Sequence, residues 1–313
     1  MRLPATTVPR VLLAHPCLRS SRIAQAQTQT RAITRRADEN FHVVTALVPS
    51  RLRQDFANLY AFCRCADDLA DETGDPSRAL ELLRDWRNEL HECFEGRPRH
   101  PIFLALRDTI VRHDLPAGPF DNLLSAFEQD QHVSRYATWT QLLDYSRRSA
   151  NPVGRLVLMA CGYRDEPRLA LSDHTCTALQ LTNFWQDVRR DVLDRNRVYI
   201  PRDVATRHGL DLDALTSAIA SGDVRDVDAA YRATLAELTA RTQALFDGGR
   251  ALLPTLSGDV RAPIRLFMLG GEAVLGEIVA SRFTTHVRRP GLSRVRKLAL
   301  FARAWAGSWS GNE

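Results

Sequence analysis

From Ala37 onward, apolar positions recur at intervals of three and four. That is the rhythm of helices packing one face inward; sustained two-residue alternation, the mark of strands, is missing. Punctuation falls at Pro49, Gly74-Asp75-Pro76, Gly96-Arg97-Pro98, Pro116–Pro119, Pro167, Pro201, Gly248-Gly249, Pro254, Pro263 and Pro290-Gly291. The segments between these marks have helix length. Pro152 lies inside a helical pattern and predicts a kink or break there. No repeat and no biased linker divides the body, so the pattern predicts one all-α domain over 37–313. No run of about 18 uncharged apolar residues is present, which excludes an ordinary membrane-spanning helix.

Charge changes this picture. The formal net charge of +5 over 313 residues suggests a mildly basic protein. Its distribution says otherwise. Residues 1–36 hold seven Arg and no acid, and residues 282–313 hold seven basic residues and one acid, whereas 37–281 carry 28 basic against 36 acidic residues. An acidic body argues against nucleic acid as a partner, which would require a basic face. The 1–36 segment is expected to be a disordered Arg-rich extension outside the fold. Its composition also matches a mitochondrial transit peptide, and a start codon placed too early is the plainer alternative. Cys17, Cys63, Cys65, Cys93, Cys161 and Cys176 show no C-x-x-C spacing and are read as reduced thiols. No H-E-x-x-H pair, glycine-rich nucleotide loop or G-x-S-x-G elbow occurs.

Two aspartate-rich helices carry the candidate chemistry. The stretch Arg64-Cys65-Ala66-Asp67-Asp68-Leu69-Ala70-Asp71-Glu72 closes a helix whose apolar side reads Phe56, Leu59, Tyr60, Cys63. Asp67 and Asp71 share a face one turn apart, with Arg64 beside them. Like charges at that spacing repel, and a divalent cation would offset the repulsion. On a later helix Gln180, Asn183, Asp187 and Asp191 form a polar stripe, while Leu181, Trp185, Val188 and Val192 form a separate apolar one. One acidic helix end alone reads as a solvated surface. Two stripes of ligand type together point to Mg²⁺ ions gripping a diphosphate and assisting its departure.

At these residues the sequence resembles the squalene/phytoene synthase family, over about Glu39 to Trp305. Asp67 to Asp71 matches the family's first aspartate motif, and Asp187 to Asp191, preceded by Asn183, the second. Arg197, Tyr199 and Pro201 resemble the loop that follows it. The resemblance implies a class I isoprenoid synthase helical bundle with a central apolar cavity. Glu39-Asn40-Phe41, the run Arg147–Arg155 and the run Leu181–Val188 are similar to the hydroxysqualene-forming branch. That branch takes presqualene diphosphate, expels diphosphate and adds water without NADPH. Two-step relatives carry Tyr-x-x-Tyr where this chain has Tyr145 and Arg148. Loss of the second Tyr disfavours condensation of two farnesyl diphosphates, although squalene or phytoene synthesis remains the alternative, followed by a non-catalytic assembly factor of the same family.

The resemblance assigns Asp67, Asp71, Asn183, Asp187 and Asp191 to Mg²⁺, and Phe41, Arg64, Arg148, Gln180 and Asn183 to substrate. Tyr145 would orient water or the cation, or else serve as a core aromatic. Small residues at Ala150, Gly154, Ala160, Gly162 and Gly270-Gly271 either open a channel for the C30 chain or let helices approach closely. The basic segment Arg288 to Arg303, with Leu292, Val295, Leu298, Phe301 and Trp305, resembles an amphipathic helix suited to anionic lipid. The expected setting is therefore cytoplasmic, peripheral at the inner membrane face and beside other squalene-pathway enzymes; a mitochondrial location is the alternative.

Overall fold

The computed structural model describes residues 21–35 and 47–306. Among them the regular structure is helical, as the apolar periodicity predicts, apart from one isolated parallel bridge between Arg135 and Val198. The chain separates into two compact units. The first runs to His132 and regains Arg155–Arg164; the second comprises Val133–Gly154 and the chain from Asp165 on.

In the first unit, α1 (Ser21–Arg35), α2 (Arg53–Asp71), α3 (Pro76–Phe94), α4 (Pro101–His113) and α5 (Gly118–Gln129) pack around a common core. Phe62 of α2 is fully buried at its centre. It meets one aromatic ring from each of three neighbours. The ring centroids lie 6.2 Å away for Trp86 of α3, 5.8 Å for Phe103 of α4 and 5.2 Å for Phe120 of α5. Local chemistry sets the helix starts. Asp75 caps α3 by accepting from the Ser77 amide, and Pro76 supplies a preset first turn.

Helix α1 departs from the expectation of a disordered extension through residue 36. Ala26, Thr30 and Thr34, spaced by four, form a small buried stripe against α2 and α4. The Thr30 hydroxyl donates to Asn58 Oδ1 at 2.8 Å, and Asn58 Nδ2 donates onward to the Ala105 carbonyl at 2.9 Å and to Thr109 Oγ1 at 3.0 Å. Satisfied polar groups attach this helix, together with Ala26 and Ile33, the latter packed against the core. For that reason its sequence looks unstructured. Residues 1–20 of the same segment lie outside the described residues.

In the second unit, α6 (Trp139–Ser149) ends at Ala150 and α7 begins at Asn151, so the break expected near Pro152 is present. Only the first turn of α7 (Asn151–Ala160) belongs to this unit. The 30-residue α8 (Glu166–Arg195) is the axis, capped by Asp165 and closed by Asn196 in the left-handed conformation. Packed on α8 are α6, α10 (Leu212–Ser221), α11 (Asp228–Gly249) and α12 (Gly258–Ala280). The short α9 (Arg202–Arg207) rests on α11, and α13 (Arg294–Ala306) rests on α12. Gly249 marks the tightest approach of α11 to α8, where a Cβ would sit 2.2 Å from Thr175 Oγ1. Gly154 is likewise pressed against α8, its virtual Cβ 2.4 Å from Cys176 Sγ. These two glycines serve close helix packing.

Candidate active site

The first aspartate motif occupies the last turns of α2. Asp67, Asp68 and Asp71 are each partly exposed. Arg64 reaches both nearer carboxylates, with Nη1 3.3 Å from Asp67 Oδ2 and Nη2 2.6 Å from Asp68 Oδ1. Burial lifts the Asp68 carboxyl above its ordinary range, Arg64 pulls it back, and Glu72 and Asp71 push it up again. The final turn of α2 has no basic residue. A helix C-terminus carries partial negative charge, so acids concentrated there are held against the helix dipole. Cys63 and Cys65, beside the motif, are pushed up to about 12 by burial and remain neutral thiols. No disulfide forms among the described cysteines, as the sequence suggests; Cys17 lies outside them.

The second motif occupies the last turns of α8. Leu181, Trp185, Val188 and Val192 are buried as the pattern predicts. Asp187 and Asp191 are buried as well, at 6% and 5% exposure, whereas Gln180 is half-buried and Asn183 exposed. Burial lifts the Asp191 carboxyl to about 7, with Asp187 one turn away adding to the rise and Arg190, Arg195 and Arg197 opposing it. Asp187 is held by two guanidinium groups. Arg190 Nη2 lies 2.8 Å from its Oδ2, and Arg289 Nε contacts its Oδ1.

An aromatic wall stands beside this motif. Phe184 stacks on Tyr199 with centroids 3.7 Å apart and planes at 8°. Tyr145 lies 6.1 Å from Phe184 and 6.0 Å from Tyr199, and Tyr136 lies 5.6 Å from Tyr145. The wall is held by backbone pairing of two extended segments. The Val198 amide donates to the Ser134 carbonyl at 2.9 Å and the Arg202 amide to the Tyr136 carbonyl at 3.0 Å. Tyr145 is thus a buried aromatic in contact with the motif's helix. Arg148, on the same helix, pairs with Asp144 at 3.0 Å. Phe41 lies outside the described residues.

Sequence reasoning missed Arg289, Gln186 and Pro290. Gln186 Nε2 donates to the Pro290 carbonyl at 2.7 Å, and Arg289 Nη2 donates to Gln186 Oε1 at 3.2 Å. Arg289 and Asp187 are 102 positions apart, and no local spacing links them.

The donor set fits Mg²⁺. It offers hard carboxylate oxygens in pairs one turn apart, one pair partly exposed in the last turns of α2 and the other buried in α8. Among the described residues no three His, Cys, Asp or Glu side chains converge as a ready-made cage. Mg²⁺ suits such incomplete sites, because it takes one or two carboxylates and completes its shell with water and substrate phosphate.

The squalene/phytoene synthase family model matches residues 34–296. A hydroxysqualene synthase from Sinorhizobium fredii is 35% identical over 217 residues, covering 69% of this chain and 70% of that protein. One from Zymomonas mobilis is 37% identical over 171 residues, covering 53% of this chain and 56% of that protein. The crystal structure of squalene synthase HpnC from Alicyclobacillus acidocaldarius superposes with a TM-score of 0.76 at 39% identity, covering 87% of this chain and 98% of that one. The chain belongs to the squalene/phytoene synthase family and is an isoprenoid synthase.

Proposed function

We propose that this enzyme ionises presqualene diphosphate and captures the resulting cation with water, giving hydroxysqualene and diphosphate. The observation that carries this reading is the aromatic wall of Tyr136, Tyr145, Phe184 and Tyr199 against the helix that bears Asp187 and Asp191. Ring faces stabilise a cation without supplying a nucleophile. The similarity to hydroxysqualene synthases supports the same product. Arg148 supports it too, because the resemblance puts it where two-step relatives carry the second tyrosine.

In this proposal Asp67 and Asp71, and Asp187 and Asp191 with Asn183, hold Mg²⁺, which when bound neutralises the charge that develops on the departing diphosphate. Arg64 and Gln180 contact the diphosphate. The C–O bond breaks with its electron pair leaving on diphosphate. The cation rearranges within the apolar cavity that the family resemblance implies, water adds, and the oxonium loses a proton. Electrons balance without a reductant, so no NADPH is required. Purified protein given presqualene diphosphate and Mg²⁺ is expected to yield hydroxysqualene with or without NADPH, and no C30 product from farnesyl diphosphate. Squalene formed only with NADPH, or condensation of two farnesyl diphosphates, overturns the assignment.

We place the enzyme in the cytoplasm, in peripheral contact with the inner membrane face and beside the enzymes that supply its substrate and take its product. No helix among the described residues is long and apolar enough to cross a membrane. On α13, Val295 is 77% and Leu298 69% exposed, among Arg294, Arg296, Lys297 and Arg303. Exposed aliphatic side chains ringed by cations match an anionic lipid surface. The protein is expected to float with phosphatidylglycerol vesicles at low ionic strength, and Leu298→Asp to reduce the floating fraction severalfold. Absence of wild-type flotation removes the membrane contact.

A further inference from the structure

Asp187 is assigned above to a metal, yet both of its oxygens face guanidinium groups. Arg190 belongs to the same helix and is its natural i,i+3 neighbour. Arg289 comes from elsewhere, from the segment between α12 and α13. Several contacts hold that segment in place. The buried Thr285 hydroxyl lies 2.6 Å from the Tyr231 hydroxyl of α11, and the buried His286 ring lies 4.0 Å from the Tyr231 ring. A few residues on, Gln186 grips the segment from both sides, accepting from Arg289 and donating to the Pro290 carbonyl. Between these anchors Arg289 lays Nε on Asp187 Oδ1, with Nη2 3.5 Å from Oδ2. Its own side chain is 52% exposed, so it can leave for solvent or for a ligand without unpacking a core.

A buried carboxylate needs a counter-charge, and Arg289 helps to supply it. A dication arriving at the same carboxylate meets that guanidinium as a like charge. A diphosphate arriving with the metal attracts both. We infer that Arg289 is an electrostatic gate at Asp187, opposing Mg²⁺ alone and admitting it together with diphosphate. The inference rests on the assignment of Asp187 to the metal. It makes metal and diphosphate binding cooperative, and by linkage each tightens the other by the same factor. The gate keeps the carboxylate neutralised between turnovers and places Mg²⁺ chiefly where a diphosphate is present to be ionised.

The test is calorimetric titration of the full chain with Mg²⁺ at controlled free-ion concentration, with and without inorganic pyrophosphate. Arg289→Gln is expected to bind Mg²⁺ alone about tenfold more tightly than the wild type, and the tightening by pyrophosphate to shrink by a similar factor. Arg289→Lys, which keeps the charge, stays close to the wild type. Asp187→Asn abolishes the pyrophosphate-enhanced binding. Should Arg289→Gln bind Mg²⁺ no more tightly than the wild type while Asp187→Asn still abolishes binding, the gate is wrong and the site stands. Should Lys behave like Gln, charge is not the cause and the gate is again wrong. Should Asp187→Asn bind like the wild type, the metal assignment itself falls.

Discussion

Asp187→Ala and Asp67→Ala are both expected to abolish Mg²⁺-dependent diphosphate release, by roughly 10²–10³-fold or more, the scale seen when one group stabilising a developing charge is removed. Their effects on the fold should differ. Asp67 is partly exposed, and its partner Arg64 keeps Asp68 at 2.6 Å; the surface ion pair that its removal breaks is worth about 0–1 kcal/mol. Asp187 is buried against Arg190 and Arg289. Its loss leaves two cations facing each other without the anion between them. Both guanidinium groups retain access to solvent, at 49% and 52% exposure, which limits the cost. The paired measurement is phosphate-coupled turnover with helix content by circular dichroism. Both variants should keep their helices, Asp67→Ala should unfold like the wild type, and Asp187→Ala should unfold somewhat earlier. Full activity in either variant removes that residue from the metal site.

What could be read from the sequence was what is local. The polar stripe through Asp187 and Asp191 and the apolar stripe through Leu181 and Trp185 repeat at helical spacing, and both fall where the period puts them. The family resemblance rests on the same short runs. Three features escaped because nothing local encodes them. Helix α1 is held largely by small and hydroxyl residues, with Ile33 on the core, and resembles a solvated tail until Asn58 is placed opposite Thr30. The burial of Asp187 and Asp191 depends on cations from their own helix and on Arg289, 102 positions from Asp187. The aromatic wall joins four residues from four elements, and the pairing of 134–136 with 198–202, reinforced by Arg135 on Asn196, brings Tyr136 to Tyr199. Conversely, glycines that the sequence left open between channel and packing are sorted by distance: a methyl group at Gly154 or Gly271 would collide with α8, whereas Gly162 and Gly270 have open space where a Cβ would stand.

Trp185→Ala should have the largest effect on stability in the second unit. Trp185 is fully buried on α8, and its Nε1 donates to Thr242 Oγ1 of α11 at 2.8 Å. It ties together the most extensively packed helix pair among the described residues. Truncating a buried tryptophan costs about 3–5 kcal/mol through lost transfer energy and the cavity left behind. That is a large share of the ~5–15 kcal/mol that holds a typical domain folded. Trp185→Phe keeps most of the ring and loses the hydrogen bond, a cost nearer ~1 kcal/mol plus the missing volume. Thr242 is spared in either case, because its hydroxyl also donates to the Leu238 carbonyl. The functional consequence follows from position. Trp185 lies between Phe184 of the aromatic wall and the Gln186-Asp187 pair that holds Arg289, so a shift of α8 on α11 moves the wall and the carboxylate together. Urea unfolding and turnover should therefore fall in parallel across wild type, Trp185→Phe and Trp185→Ala, whereas Asp67→Ala loses turnover alone. A Trp185→Ala protein with a wild-type urea midpoint would show that the seam between α8 and α11 is held by other contacts.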